Sequence, residues 1–230
     1  MERYLPILSK LPIFDGIAKD EILPLCRLFG CCTRKYGTGA VLWSRGDRVS
    51  AAGIVLSGKV RAENNRMDGT QRIIAQHGTG ALFGDVLMSS QMQRSPVDIV
   101  ASEDTTVLFL PLAQVMRDCG GVLSGAQTRF RLNLLGEISD KYWALYRRLG
   151  YLSEPTLRGR LARYLLLQRD GQGSDTIRFA VTRETMAAEL CVNRSAMCRE
   201  LGRMQRDGLI VLSRRECRLC DLTGLRLLAE

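Results

Sequence analysis

Arg194, Ser195, Arg199 and Arg206 are residue types that meet DNA: guanidinium forks bond guanine edges and phosphates, and a serine hydroxyl pairs with several bases. Their spacing places them outward on a helix whose other side carries Met197, Leu201 and Met204, four and then three residues apart. Upstream, Thr182 is a good N-cap, Met186 and Leu190 lie four apart on one face, Val192 closes a turn, and Asn193 caps the next helix. Asp207-Gly208 stops that helix. Leu209 to Leu212, the charged turn Arg214-Arg215-Glu216 and Arg218 to Leu222 then follow as a β-hairpin. An ordinary helical hairpin with a solvated basic face shares the amphipathic pair. Here cap, turn, second cap, arginine spacing and hairpin come in the order of a winged helix-turn-helix, so the expected partner is double-stranded DNA.

The other groups able to do chemistry are the cysteines and one histidine. Cys26, Cys31 and Cys32, with Cys119 downstream, offer sulfur for an iron–sulfur cluster, although the adjacent pair Cys31-Cys32 suits regular ligand spacing poorly. Cys217 and Cys220 form a CxxC on the hairpin, where they point to opposite faces, and zinc needs two further ligands in a chain with one histidine. No metal site is expected, and the eight cysteines read as reduced thiols. Cys191 and Cys198 lie in and beside the helix-turn-helix turn, where oxidation would disturb DNA binding. His77 lies in Gln76 to Gly80, read as a polar surface turn, and cannot be placed beside a nucleophile; with no Gly-x-x-x-x-Gly-Lys loop either, an enzyme is not expected.

The elements that must carry these groups divide the 230 residues into more than one core. A formal net charge of +9 favours an anionic partner without choosing between nucleic acid and membrane. The start, Met1 to Pro6, lacks a basic stretch followed by an apolar run, and no segment approaches the roughly 18 consecutive apolar residues of a membrane span, so a soluble cytoplasmic protein is expected. Residues 36–110 read as short strands, with Tyr36 to Trp43, Ala52 to Arg61, Gln71 to Ala75 and Thr105 to Leu110 apolar or alternating. Turn signals separate them at Arg45-Gly-Asp47, Ser57-Gly58, Met67-Asp-Gly69 and Gly78-Thr-Gly80.

Between Pro111 and Pro155 the chain reads as helical, and Leu135, Ile138, Tyr142, Leu145, Leu149 and Leu152 draw an apolar seam at steps of three and four. Such a stripe packs on its own domain or on a second copy. Its place between a β domain and a DNA-binding domain favours a parallel homodimer, which would set two recognition helices against two half-sites. Ser153 to Thr156 is the hinge, with proline starting the next helix and Leu157, Leu161 and Leu165 continuing its apolar face.

This order of parts resembles the Crp/Fnr superfamily of bacterial transcription regulators. The resemblance covers nearly the whole chain and is carried by Gly39 to Asp47, Gly53 to Val60, Gly80 to Asp85, Arg94-Ser95 and the helix-turn-helix with Asp207 to Ile210. It implies an α+β protein: an effector-sensing β roll of cyclic-nucleotide-binding type (a jelly roll) over 1–123, a dimerisation helix and hinge over 124–153, and a winged helix-turn-helix over 154–230. It also implies a homodimer that binds a pseudo-palindromic operator and alters recruitment of RNA polymerase. In cAMP-binding members a Phe-Gly-Glu stretch and a later Arg-Ser hold ribose and phosphate, and Gly84-Asp85 and Arg94-Ser95 occupy similar places. Two departures argue against cAMP: Asp85 is a methylene shorter than glutamate, and Leu145-Tyr146 stand where a Thr-Ser pair meets adenine. The effector is left as another small ligand, with a redox or iron–sulfur switch on the same scaffold as the alternative. Carbon-monoxide-sensing members use a β-roll histidine to bind haem, but the turn reading of His77 argues against that. On the recognition helix the resemblance gives Arg194, Ser195 and Arg199 base-reading positions, Ser195 replacing a glutamate, and gives Thr182, Arg183 and Asn193 backbone-contacting ones.

Overall fold

The computed structural model describes residues 1–65, 71–86, 93–117 and 120–229. The turn expected at Met67-Asp-Gly69 and the cysteine at 119 lie outside the described residues. The chain forms two compact units, Met1–Ser139 and Asp140–Glu230.

In the first unit, helices α1 (Leu5–Leu8) and α2 (Lys19–Leu28) precede eight strands, β1 (Cys32–Tyr36), β2 (Val41–Trp43), β3 (Ala51–Ser57), β4 (Lys59–Asn65), β5 (Gln71–Gly78), β6 (Leu82–Phe83), β7 (Asp98–Ala101) and β8 (Thr105–Pro111). Helices α3 (Leu112–Met116) and α4 (Ser124–Leu152) follow, and the unit boundary falls within α4. The strands make two antiparallel sheets, ordered β1-β8-β3-β6 and β2-β7-β4-β5. Strands β3 and β8 are almost wholly buried because their sheet is covered on both faces. Val55, Val107 and Phe109 join Val60, Ala62, Phe83 and Ile99 inside the roll. Their alternating neighbours Ile54, Leu56, Leu108 and Leu110 face a second core with α2, Phe14 and Phe130. The rings of Phe14 and Phe29 each sit 5.1–5.2 Å from Phe130 on α4, so the start of that helix is anchored by aromatic contact. Asn133 adds hydrogen bonds to the carbonyls of Ile13 and Asp15, at 3.2 and 2.8 Å.

Two strand readings change. The run from Tyr36 to Trp43 is the end of β1, a turn, and β2, because Thr38 is captured by Asp104 and the Gly39 N–H by the Ala101 carbonyl. Ala52 to Arg61 divides at Gly58 into β3 and β4, which belong to different sheets; the φ of +82° at Gly58 and its close approach to the Asp104 carbonyl exclude a Cβ. The N-terminal helices, too short and interrupted to show a sustained period, were not expected.

In the second unit, α5 (Leu157–Gln172), β9 (Thr176–Arg178), α6 (Arg183–Glu189), α7 (Arg194–Arg206), β10 (Ile210–Leu212), β11 (Glu216–Leu219) and α8 (Leu222–Leu227) follow the end of α4. The wing is a three-stranded antiparallel sheet, β10-β11-β9, whose third member comes from upstream of the helix-turn-helix. Leu222, expected at the end of a strand, instead opens α8, because Asp221 caps the Gly224 N–H at 2.8 Å. Thr156 starts α5 by accepting from the Gly159 N–H at 2.9 Å, so Pro155 precedes the cap and does not open the helix. Leu161, Leu165, Met186, Leu190, Met197, Leu201, Met204, Ile210 and Cys217 form the buried core.

Along α4, Leu135, Tyr142, Leu145 and Leu149 stand 57–60% exposed. The other two seam residues differ: Ile138 is half-buried against the helix-side core of the first unit and Leu152 against the core of the second. Among the described residues no helix is long and apolar enough to cross a membrane.

Candidate nucleic-acid interface and effector cradle

Helix α7 is held by its buried face and by ion pairs from α5. Met197, Leu201 and Met204 bury its inner face. Glu200, 8% exposed on that side, is met by Arg158 of α5 at 3.6 Å and by Arg203 at 3.1 Å, and Arg158 also pairs with Asp207 at the C-cap. A carboxylate this deep needs such partners. No periodicity marked Arg158 as a support for α7, since the pair links residues far apart in sequence.

The outer face presents Arg194, Ser195, Arg199 and Arg206 to solvent, with Cys198 and Arg203 beside them. Arg194 pairs with Glu184 of α6 at 3.4 Å, whereas among the described residues no partner engages Arg199. Asn193 Oδ1 accepts from the Ser195 N–H at 2.8 Å and from the Ser195 hydroxyl at 2.6 Å. While that second bond lasts, the Ser195 oxygen faces outward as an acceptor. Thr182 likewise caps α6, accepting from the Thr185 N–H at 3.2 Å. The oxygens of Thr182 and Asn193 therefore serve the helix ends. Cys191 forms the turn at φ +54°, a left-handed conformation costly for a side-chain-bearing residue, and Arg148 donates to its sulfur at 3.6 Å.

Arg183 lies with its guanidinium 4.2 Å from the Phe179 ring centroid and donates to the Met186 sulfur at 3.5 Å. It shares a cleft of about 380 Å³ with Arg178, Arg214 and Arg215. The Phe179 N–H donates to the Arg215 carbonyl at 2.9 Å, which ties the segment before α6 to the wing turn. Four arginines facing one cleft suit a phosphate backbone. The wing arginines were legible in sequence only as a charged turn.

In the first unit, Gly84 has φ +73°, and a Cβ there would meet the Trp43 ring at 2.6 Å. Asp85 is buried. Arg94 donates to the Gly46 carbonyl at 2.8 Å, and Ser95 turns its hydroxyl inward to the Val97 carbonyl at 2.6 Å. The Ser95 N–H reaches Asp47 and its carbonyl receives Gly46. The segment Trp43–Asp47 thus touches Gly84 at one end and Arg94-Ser95 at the other, which joins the two halves of the expected cradle. His77 is not in a turn: it lies in β5 opposite Val60, half-buried, with its ring 5.8 Å from Phe83, because the strand runs on to Gly78.

Leu145 and Tyr146 belong to the second unit. Tyr146 stacks on Tyr142, and Leu145 lines a cavity of about 610 Å³ with Arg147, Arg148, Tyr151, Tyr164 and Glu189. Burial pushes the Tyr164 phenol up to about 12. Cys217 is buried and Cys220 exposed, so the CxxC does not converge, and the described residues hold no group of three metal-ligating side chains.

An antiparallel roll with a glycine cradle, a long helix and a winged helix-turn-helix define a class of ligand-sensing transcription regulators. Residues 33–119 match the family described as cyclic nucleotide-binding domain, and residues 159–228 match the Crp-like helix-turn-helix domain. The chain is 29% identical over 201 residues to the cyclic AMP receptor protein of Thermus thermophilus, spanning 87% of this chain and 88% of that one. The crystal structure of the Thermus thermophilus catabolite activator protein is similar with a TM-score of 0.53 at 25% identity, covering 95% of this chain and 98% of that chain. A CooA mutant from Carboxydothermus hydrogenoformans shares the fold at 19% identity, with a TM-score of 0.52 over 89% of this chain and 90% of that one. The chain belongs to the Crp/Fnr superfamily of transcription regulators.

Proposed function

We propose that this regulator acts as a homodimer controlled by a small ligand, binding a pseudo-palindromic operator in double-stranded DNA and altering recruitment of RNA polymerase. Residues 1–123 sense the ligand, 124–153 pair the two copies, and 154–230 read DNA. The observation that carries the reading is α7 itself: a helix capped by Asn193, seated on Met197, Leu201 and Met204, and open along its arginine face. Arg199 reads guanine O6 and N7, Arg194 reads a base after leaving Glu184, and Ser195 accepts from a base amino group. Arg183 and the wing arginines hold phosphates, while Thr182 and Asn193 approach the backbone through the helix starts they cap. The open seam on α4 supports the dimer, since contiguous exposed apolar stripes mark association sites.

The effector occupies the cradle of Gly84, Asp85, Arg94 and Ser95. An anion is favoured by the Arg94 guanidinium, and cAMP is disfavoured because Asp85 is a methylene shorter than the glutamate that holds ribose in cAMP-binding members. The test of the DNA reading is a pair of variants titrated on the operator and its single-base changes at several salt concentrations. Arg199→Ala should cost about 1–3 kcal/mol on the operator and relax preference at one base pair per half-site. Arg183→Ala should weaken all sequences alike and lower the salt slope by about one per protomer. Uniform weakening by Arg199→Ala would show that α7 does not face the bases.

A further inference from the structure

Helix α2 ends in a Schellman turn. The Cys31 N–H donates to the Cys26 carbonyl and the Gly30 N–H to the Arg27 carbonyl, both at 2.9 Å, with Gly30 at φ +65°. In this motif the residue two past the cap meets the residue three before it, side chain against side chain. Those two residues here are Cys31 and Cys26. Cys26 is 1% exposed in the helix-side core, Cys31 is half-buried against the same core, and Cys32 faces solvent at the start of β1. The pair is thus selected by backbone geometry out of three cysteines that sequence alone leaves equivalent.

We propose that Cys26 and Cys31 form a redox-active dithiol that a hydroperoxide oxidises to a disulfide. The backbone bond between the two residues keeps their Cα atoms near each other, as a disulfide requires. Cys31 beside it draws the Cys26 thiol below its ordinary value against the opposing effect of burial, and Cys31 is pushed up in turn, so Cys26 is the sulfur of the pair that ionises first and becomes the charged one. The charged sulfur attacks the O–O bond of the hydroperoxide, keeping one oxygen as a sulfenic acid, and the other oxygen leaves as water or alcohol after taking a proton. The second thiol then attacks that sulfur, an S–S bond forms, and the sulfenic oxygen leaves as water. Two electrons pass from the two sulfurs to one O–O bond. A small dithiol reverses the change. The site is independent of the DNA reading, and its test does not involve DNA.

Trypsin separates the two cysteines, because it cuts after Lys19, Arg27 and Arg34 to give Asp20–Arg27 with Cys26 and Leu28–Arg34 with Cys31 and Cys32. The full-length protein is treated with a few equivalents of hydrogen peroxide, alkylated, digested without reduction and examined by mass spectrometry. The two peptides should appear joined and should separate on treatment with dithiothreitol. The link should persist in Cys32→Ser and vanish in Cys31→Ser, with unchanged circular dichroism in both. Absence of the link in the parent, a link that survives Cys31→Ser, or oxygenated Cys26 or Cys31 in place of a link would each overturn the proposal.

Discussion

Leu149→Ala should weaken self-association by an amount that the open seam sets. Leu149 is 59% exposed in the single chain, on the same stripe as Leu135, Tyr142 and Leu145. Full burial of a leucine is worth about 1.5–3 kcal/mol, so covering the share still open contributes about 1–2 kcal/mol per copy. A two-fold interface counts the residue twice, and the loss becomes about 2–4 kcal/mol, or roughly 30- to 1000-fold in the dimer dissociation constant. Alanine is the best helix former, and the position is open in the monomer, so α4 itself should be undisturbed. Sedimentation equilibrium from nanomolar to micromolar protein reads the constant, with Leu227→Ala as control, since Leu227 is 67% exposed and belongs to α8, not to the α4 stripe. A parent that is monomeric at micromolar concentration, or a Leu149→Ala constant no different from the control, would refute the seam as the dimer contact.

In calorimetric titrations cAMP should bind weakly and leave operator affinity unchanged, and for the true anionic effector Arg94→Ala should lose a charge-assisted bond worth about 1.5–3 kcal/mol; micromolar cAMP binding that raises operator affinity would contradict the departures at Asp85 and Leu145. Arg158→Ala should destabilise the second unit by about 1–3 kcal/mol because Glu200 then keeps only Arg203, whereas Arg178→Ala, which breaks an exposed pair with Glu216, should stay within about 0.5 kcal/mol in denaturant unfolding. Equal costs would show that Glu200 is not held through Arg158. Burial pushes the Cys217 thiol up to about 12 from the ordinary 9.0, so above pH 9 the unfolded chain releases a proton that the folded one keeps. The contribution of Cys217 is therefore whole below pH 9 and lost as pH rises towards 12, and the stability difference between the parent and Cys217→Val should shrink across that window; a constant difference would mean the thiol is not protected.

Local spacing along the chain determined a good deal. The caps Thr182 and Asn193, the inward row Met197, Leu201 and Met204 and the outward arginines depend on steps of three and four within one helix, which a linear sequence displays directly. The β character of 36–110 was legible from glycine turns and apolar runs. Tertiary structure decided whatever joins distant segments. Asp104 and Ala101 close the turn that divides Tyr36–Trp43, β9 completes the wing, and Arg158 crosses from α5 to support α7. It also placed His77 on a strand against Phe83, where Gln76 to Gly80 reads in sequence as a turn. For the cysteines, spacing showed three sulfurs, and only the turn at Gly30 showed which two meet. The physical reason is common to these cases: helix periodicity and capping act over one or two turns of chain, whereas strand pairing, ion pairing and burial depend on which surfaces the folded core brings together.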